Sequence, residues 1–293
     1  MTAILPKNFE WYREQIAGHH PSVVKNGEHQ IGFVKELGSE MLLKPLQEGI
    51  RGECEANMYE KLFSLPSLSV DPSIDNMILR EFVSFVPRYY GRRQLRIGQK
   101  DVTFLIIEDL TQGYRRPCTM DIKMGMVTSD PNASEEKRKS EAAKYAEQQI
   151  LGFRLLGYRV HCNNSECELR IRDKQWGRTR TLENIADAYY DFLSERGDSA
   201  AIVANSVYNQ LLRIQDWFHR QTIYHFYASS ILIVYEASQS LQPSARVKLI
   251  DFSHVFAADG RLDDNYIVGL DNVVSLVKQC RDRMLSPKIV DQL

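Results

Sequence analysis

The sequence predicts an α+β fold in two lobes, and three observations lead there. Short apolar strands recur along the chain with amphipathic helices between them. One of these strands, Val102–Ile107, is almost wholly apolar and so buried. It runs into a short polar connector, Glu108-Asp-Leu-Thr-Gln-Gly113, which is the form a hinge between lobes takes. Finally, no proline- or glycine-rich linker divides the 293 residues into independent domains.

The elements follow in order. Gly32-Phe-Val-Lys-Glu-Leu37 and Met41-Leu-Leu-Lys-Pro45 predict two short strands joined at Gly38-Ser39. Arg51–Phe63 has helical periodicity, with Met58, Leu62 and Phe63 on one face. Met77–Tyr90 and Val102–Ile107 predict two more strands, and Pro117–Gly125 a third. A helix begins at an Asn/Ser cap near Ser134 with acids in its first turn. Gly152–Val160 and Glu168–Asp173 read as strands. Ile202–Tyr227 reads as a long helix with Val203, Val207, Leu211, Ile214 and Trp217 inward. Ala228–Glu236 and Arg246–Phe256 are strands, and Ile267–Met284 closes the chain as an amphipathic helix.

The chemistry centres on Pro117-Cys-Thr-Met-Asp-Ile-Lys-Met-Gly125. Alternation along a strand puts Asp121 and Lys123 on one face. A carboxylate there orients or deprotonates an attacking hydroxyl, and an ammonium binds phosphate oxygens. Alone, such a pair is more often a cross-strand ion pair, and context makes it specific. Gly125 lets the backbone turn or a ligand approach closely. Asp251 breaks an otherwise apolar strand. A lone acid there costs free energy unless it is paired or metal-bound, and magnesium shared with nucleotide phosphates is the natural partner. Lys44 ends an apolar strand, where it is either a solvated edge charge or a lysine for nucleotide phosphate, and Glu55 on the following helix either pairs with it or is an exposed helix acid. Lys137 and Lys144 lie two turns apart on a basic helix, which is either a solvated face or, with a poly-anion bound, one cationic stripe.

Composition narrows the function. Lysine plus arginine number 37 against 38 acids, a net charge of −1 that argues against bulk attraction to nucleic acid or membrane. No apolar run is long enough to span a bilayer, and the first residues lack a signal-peptide pattern. Five cysteines without regular spacing point to free thiols in a reducing, intracellular compartment.

Together these stretches resemble the inositol phosphate kinases, whose shared pattern is P-x-x-x-D-x-K-x-G. The supporting stretches are Gln15–His19, Lys44-Pro-Leu, Glu55-x-x-Met-Tyr, Leu110–Gly113, Ser229-Ser-Ile-Leu and Ile250-Asp-Phe, in the family's order over nearly the whole chain. The resemblance implies a kinase-like fold with an antiparallel sheet in a small lobe (1–112). A large lobe (113–293) would hold a mixed sheet and helices, with a helical inositol-binding insert at 130–151. It implies ATP and Mg2+ as cofactors. Lys44 would contact nucleotide phosphates with Glu55 positioning it, and Glu108 and Leu110 would give backbone contacts to adenine. Asp121 would orient the substrate hydroxyl and Lys123 bind phosphate. Asp251 would hold the metal with Ser230 in its outer shell, and Arg51, Lys137, Lys144 and His254 would contact substrate phosphates. The segment between Gly125 and Gly152 is too short for the insertion of the trisphosphate 3-kinases. The stretches from Val247 to Leu270 are most like the multikinase branch. The hexakisphosphate kinases, which share the Ser134-Glu-Glu-Lys region, and a non-catalytic signalling or transcription scaffold are the alternatives. Ser140 is read on the substrate face of the insert helix, where multikinases tend to carry a longer polar side chain. The resemblance further implies a monomer acting on small inositol phosphates, with phosphatidylinositol bisphosphate as a further acceptor, in nucleus and cytoplasm.

Overall fold

Two five-stranded sheets carry the chain in the computed structural model, which describes residues 4–16, 24–25, 28–64, 73–162 and 168–286. The Gln15–His19 stretch is therefore described only to Ile16. The first sheet is built from β1 (Phe9–Trp11), β4 (Val34–Glu36), β5 (Met41–Pro45), β6 (Tyr89–Ile97) and β7 (Lys100–Glu108), in the order β1-β4-β5-β7-β6. A small hairpin of β2 (Val24–Lys25) and β3 (Glu28–His29) precedes β4. One face of this sheet closes a small core of Val34, Leu43, Leu95, Ile97 and Phe104. The opposite face turns Leu42 and Lys44 toward helix α1 (Ile50–Ser64) and the rest of the molecule. Met58, Tyr59 and Leu62 bury one stripe of α1, and Glu55 is buried on the same helix. Phe63 is only half-buried beside them.

The second sheet runs β10-β9-β8-β12-β13, with β8 (Pro117–Met124), β9 (Phe153–His161), β10 (Leu169–Arg172), β12 (Ser230–Glu236) and β13 (Ala245–Ile250). Every pairing in it is antiparallel, not mixed as expected. The connections from β8 to β9 and from β12 to β13 leave and re-enter the sheet at the same end, which dictates that pairing. Cys118, Met120, Ile122, Ile231, Ile233, Leu249 and Val247 point from one face into the main core. There they meet α6 (Ile185–Leu193), α7 (Ala200–Phe218) and α8 (Asp264–Leu285). The inward residues expected for α7 are all fully buried. The other face of the sheet is left for chemistry. Between β8 and β9 stand α3 (Glu135–Ala142) and the short α4 (Gln148–Leu151), while α5 (Lys174–Arg178) follows β10. Ser134 caps α3 by accepting from the Lys137 amide, as the sequence indicates.

Three expected elements are corrected. Met77–Tyr90 is not a strand: α2 (Ile74–Val83) occupies its first half and β6 begins only at Tyr89. Ser73 caps α2, and Ile78, Leu79 and Phe82 bury a helical stripe, Phe82 stacking on Trp217 at 4.5 Å. The long helix ends at Phe218, not Tyr227. Gln221 takes over the local bonding by accepting from the Ile223 and Tyr224 amides, and β11 (Tyr224–Phe226) begins there. Arg246–Phe256 divides at Asp251, whose φ of 67° is left-handed. Past it, β14 (Val255–Ala257) pairs with β11 instead.

Candidate active site

The free face of the second sheet and the Lys44 face of the first enclose a cleft of about 260 Å³. Register explains its floor. Asp121 lies opposite Leu232 and Lys123 opposite Ser230, which in turn pairs with Ile250, so all of these share one face. A bulge in the β8–β9 pairing falls between Asp121 and Ile122, where β9 gains one residue. Bulges bend a strand and re-aim its side chains, and here one sits beside the acid. Gly125 ends the motif at φ 105°, and a Cβ there would lie 2.8 Å from Asn265 Nδ2 and 2.9 Å from the Val127 carbonyl. Its role is therefore a turn packed under the start of α8, not the approach of a ligand.

At the roof, Lys44 Nζ donates to Glu55 Oε1 at 2.6 Å and also bonds Asp251. Glu55 additionally accepts from the Phe252 amide at 3.3 Å, which fixes it against the turn that carries Asp251. Burial alone would favour neutral Lys44, but the Asp251 and Glu55 carboxylates outweigh it and hold the ammonium above its ordinary pKa. Burial raises Glu55, with Lys44 opposing. Lys44 and Glu55 thus act as a unit, and Lys44→Ala and Glu55→Ala are expected to be non-additive. In an ATP turnover assay the double variant should lose less than the sum of the singles. Simple additivity would mean that the contact carries no function.

Asp121 is buried at the floor, and its Oδ1 makes no hydrogen bond. Burial and then the facing Asp251 carboxylate push its pKa up to about 7, against the pull of Ser230, Lys123 and Lys44. Lys123 is lowered by burial and by Arg154, with Asp251 and Asp121 opposing. A cation so crowded gains from any phosphate that joins it. Asp251 keeps a 40% exposed side chain toward the cleft. Among the described residues no three His, Cys, Asp or Glu side chains form a metal cluster. The donors therefore fit an ion held by one or two carboxylates together with phosphate oxygens and water, the habit of Mg2+. Asp251, which reaches the cleft, is the carboxylate that could hold it. Ser230 is wholly buried beside Asp121, where its hydroxyl favours the ionised carboxylate.

Glu108 and Leu110 line the cleft at the end of β7. The Glu108 N–H donates to the Arg88 carbonyl at 2.8 Å, and the Leu110 carbonyl accepts from Arg246 at 2.6 Å. Both residues thus bring backbone groups to the cleft, where an adenine edge could meet them. Arg51 is exposed on α1, and His254 is half-buried with Nδ1 3.2 Å from Asp130. Burial lowers His254, with Asp130 opposing and the charges of Arg51, Lys123 and Lys137 adding to the fall. These four groups thus share one side of the site. Lys137 and Lys144 converge too, although α3 ends at Ala142 and Lys144 follows it in a turn. Ser140 is exposed, and the one half-buried residue of α3 is Glu141. Arg154 was legible by the logic that picked out Asp251, as a charge in the apolar run Phe153-Arg-Leu-Leu, but sequence reasoning passed it over. It is 5% exposed and lies opposite Lys123.

Comparison with known proteins identifies the family. Residues 104–278 match the family model for inositol polyphosphate kinase. The chain is 31% identical over 288 residues to inositol polyphosphate multikinase beta of Arabidopsis thaliana, covering 90% of this chain and 91% of that protein. It is 32% identical to human inositol polyphosphate multikinase, over 88% of this chain and 58% of the human protein. Its fold matches a crystal structure of the S. cerevisiae inositol phosphate multikinase in complex with ADP and Mn2+, with a TM-score of 0.65 and 19% identity over 82% of this chain and 99% of that one. A structure from structural studies and protein engineering of inositol phosphate multikinase matches with a TM-score of 0.59 and 28% identity, over 75% of this chain and 97% of that one. The chain belongs to the inositol polyphosphate kinase family.

Proposed function

We propose that the protein is an ATP-dependent multikinase that phosphorylates free hydroxyls of inositol trisphosphate and tetrakisphosphate toward pentakisphosphate. The observation that carries this reading is a single cleft. It joins a phosphate-type lysine held by two carboxylates to a buried aspartate with an unbonded oxygen.

The division of labour follows from position. Lys44, held by Glu55, binds nucleotide phosphates, while backbone groups of Glu108 and Leu110 meet adenine. Asp121 Oδ1 accepts the proton of the attacking hydroxyl, and a pKa near neutrality suits that task. Lys123, Arg51, Lys137, Lys144 and His254 hold substrate phosphates. His254 has Nδ1 against Asp130, so it donates to a phosphate through Nε2 only in the protonated form, which an added phosphate charge favours against the fall caused by burial. Asp251, with Ser230 behind it, would hold Mg2+, which when bound neutralises charge on the transferring phosphoryl group.

We further propose a lobe boundary at 112/113, an insert at 130–151, a monomer that binds no nucleic acid, and activity in nucleus and cytoplasm. Free thiols at Cys54, Cys118 and Cys280 and the net charge of −1 support the intracellular reading. Use of phosphatidylinositol bisphosphate as a further acceptor belongs to the same proposal.

The test is product analysis with ATP, Mg2+ and a panel of inositol phosphates. Phosphorylation at more than one ring position is expected, with little reaction of hexakisphosphate, which has no free hydroxyl. Dominant pyrophosphate formation from hexakisphosphate would show a hexakisphosphate kinase instead. Modification of one trisphosphate hydroxyl alone would show a dedicated 3-kinase.

A further inference from the structure

The cations of the insert already hold a carboxylate. Seven of the eight residues of α3 are exposed, and Glu141 is the one that turns inward, its side chain 11% exposed. Its Oε1 accepts from Lys137 Nζ at 2.9 Å and from Lys144 Nζ at 2.5 Å. Its Oε2 lies 3.6 Å from Arg154 Nη2. Burial disfavours the charge, but the hydrogen bonds from Lys144 and Lys137 outweigh it and draw the carboxyl down to about 2. Glu141 is therefore ionised wherever the protein works.

Arg154 fixes the arrangement in place. It is buried in β9 opposite Lys123. Its Nη1 donates to Gln148 Oε1 at 3.1 Å, and Gln148 Nε2 donates to the Gly125 carbonyl at 2.9 Å. The motif strand, the insert and Glu141 are thus tied through one guanidinium. The field of Glu141 also reaches Lys123, where it favours the charged form.

We propose that Glu141 determines specificity: while Lys137 and Lys144 meet the phosphates of a partly phosphorylated ring, its charge reserves the space between them and Arg154 for a free ring hydroxyl and disfavours a further phosphate there. A hydroxyl donates to the carboxylate and accepts from a lysine, so every polar group keeps a partner. A phosphate brings at least one negative charge against a fixed carboxylate and competes with it for the same three donors. Discrimination of this kind needs a repulsive element as well as attractive ones, and Glu141 supplies it. The site then favours less phosphorylated rings and rejects the fully phosphorylated one. This rests on the multikinase reading above.

The test is titration calorimetry of the full chain without nucleotide, using inositol trisphosphate and inositol hexakisphosphate as probes. Glu141→Gln keeps the shape and removes the charge. It is expected to tighten hexakisphosphate about tenfold or more, the scale of one charge-assisted contact, while trisphosphate binding stays constant or weakens. Glu141→Ala should move the ratio of the two constants in the same direction. Equal tightening of both probes in the Gln variant would overturn the inference and leave the multikinase reading standing, because Glu141 would then be only a general charge. A shift in the Ala variant alone would also overturn it, since the effect would be one of space. If the unsubstituted protein binds neither probe, the multikinase reading falls and the inference with it.

Discussion

Asp251→Asn is expected to lower Mg2+-dependent turnover about a thousandfold or more while the fold survives, the scale seen when a charge partner of a transferring phosphoryl group is removed. Asparagine has the size of aspartate and tolerates the left-handed backbone that position 251 adopts, so the β13 turn should hold. What disappears is one negative charge between Lys44 and Asp121. Lys44 keeps only Glu55, and its raised pKa relaxes toward the ordinary value. Asp121 loses the facing charge that is second only to burial in raising its pKa, so residual activity should persist to lower pH than in the unsubstituted protein. Two readouts therefore accompany the loss of rate: an acid shift of the pH profile and a near-normal circular dichroism melt. A Mg2+-dependent rate close to normal would remove Asp251 from the metal site.

The parts of this site that were legible in the sequence are those where a charge interrupts an apolar element. Asp121 and Lys123 interrupt β8, and Lys44 and Asp251 stand at the ends of β5 and β13. Period 2 was enough to place Asp121 and Lys123 on one face, and Glu55 was found because a helix follows β5 directly. Where sequence reasoning failed, tertiary context decided. Met-Ile-Leu within 77–79 is an apolar run that suits strand or helix, and only the Ser73 cap and the stacking on Trp217 select a helix. The end of α7 depends on the Gln221 side chain, which competes with the helix for backbone donors. Glu141 looked like one more solvated acid among Lys137, Arg138 and Lys139. Its inward turn also brings it within 3.6 Å of Arg154, 13 residues on across the α3–β9 connection, and that contact no local pattern reveals. The lone-charge rule did apply to Arg154, in a run as apolar as the one around Asp251.

Asp121→Asn carries the other large effect, a loss of about a hundredfold to ten-thousandfold in turnover, the range of a positioned proton acceptor. Asparagine still orients a hydroxyl by accepting from it but takes no proton, so kcat should fall far more than binding of inositol phosphate weakens. In the unsubstituted protein kcat/KM should rise with pH through about 7, because only the ionised carboxylate accepts a proton and its pKa lies there. The same pKa has a consequence for stability, of opposite sign. In the unfolded chain this group titrates at the ordinary aspartate value of 3.8, in the folded protein at about 7. Between those limits the folded state binds the extra proton, so Asp121 destabilises the fold progressively as pH rises and fully above about 7. Asp121→Asn removes that cost. The variant should melt higher than the unsubstituted protein at pH 8, and the gap should close as pH falls toward 4. A nearly dead variant that is more stable in alkali and equal in acid is the signature of a carboxylate kept buried for its reactivity. If the variant melts lower at pH 8, Asp121 belongs to a structural ion pair with Lys123, and the proton must be taken by another group.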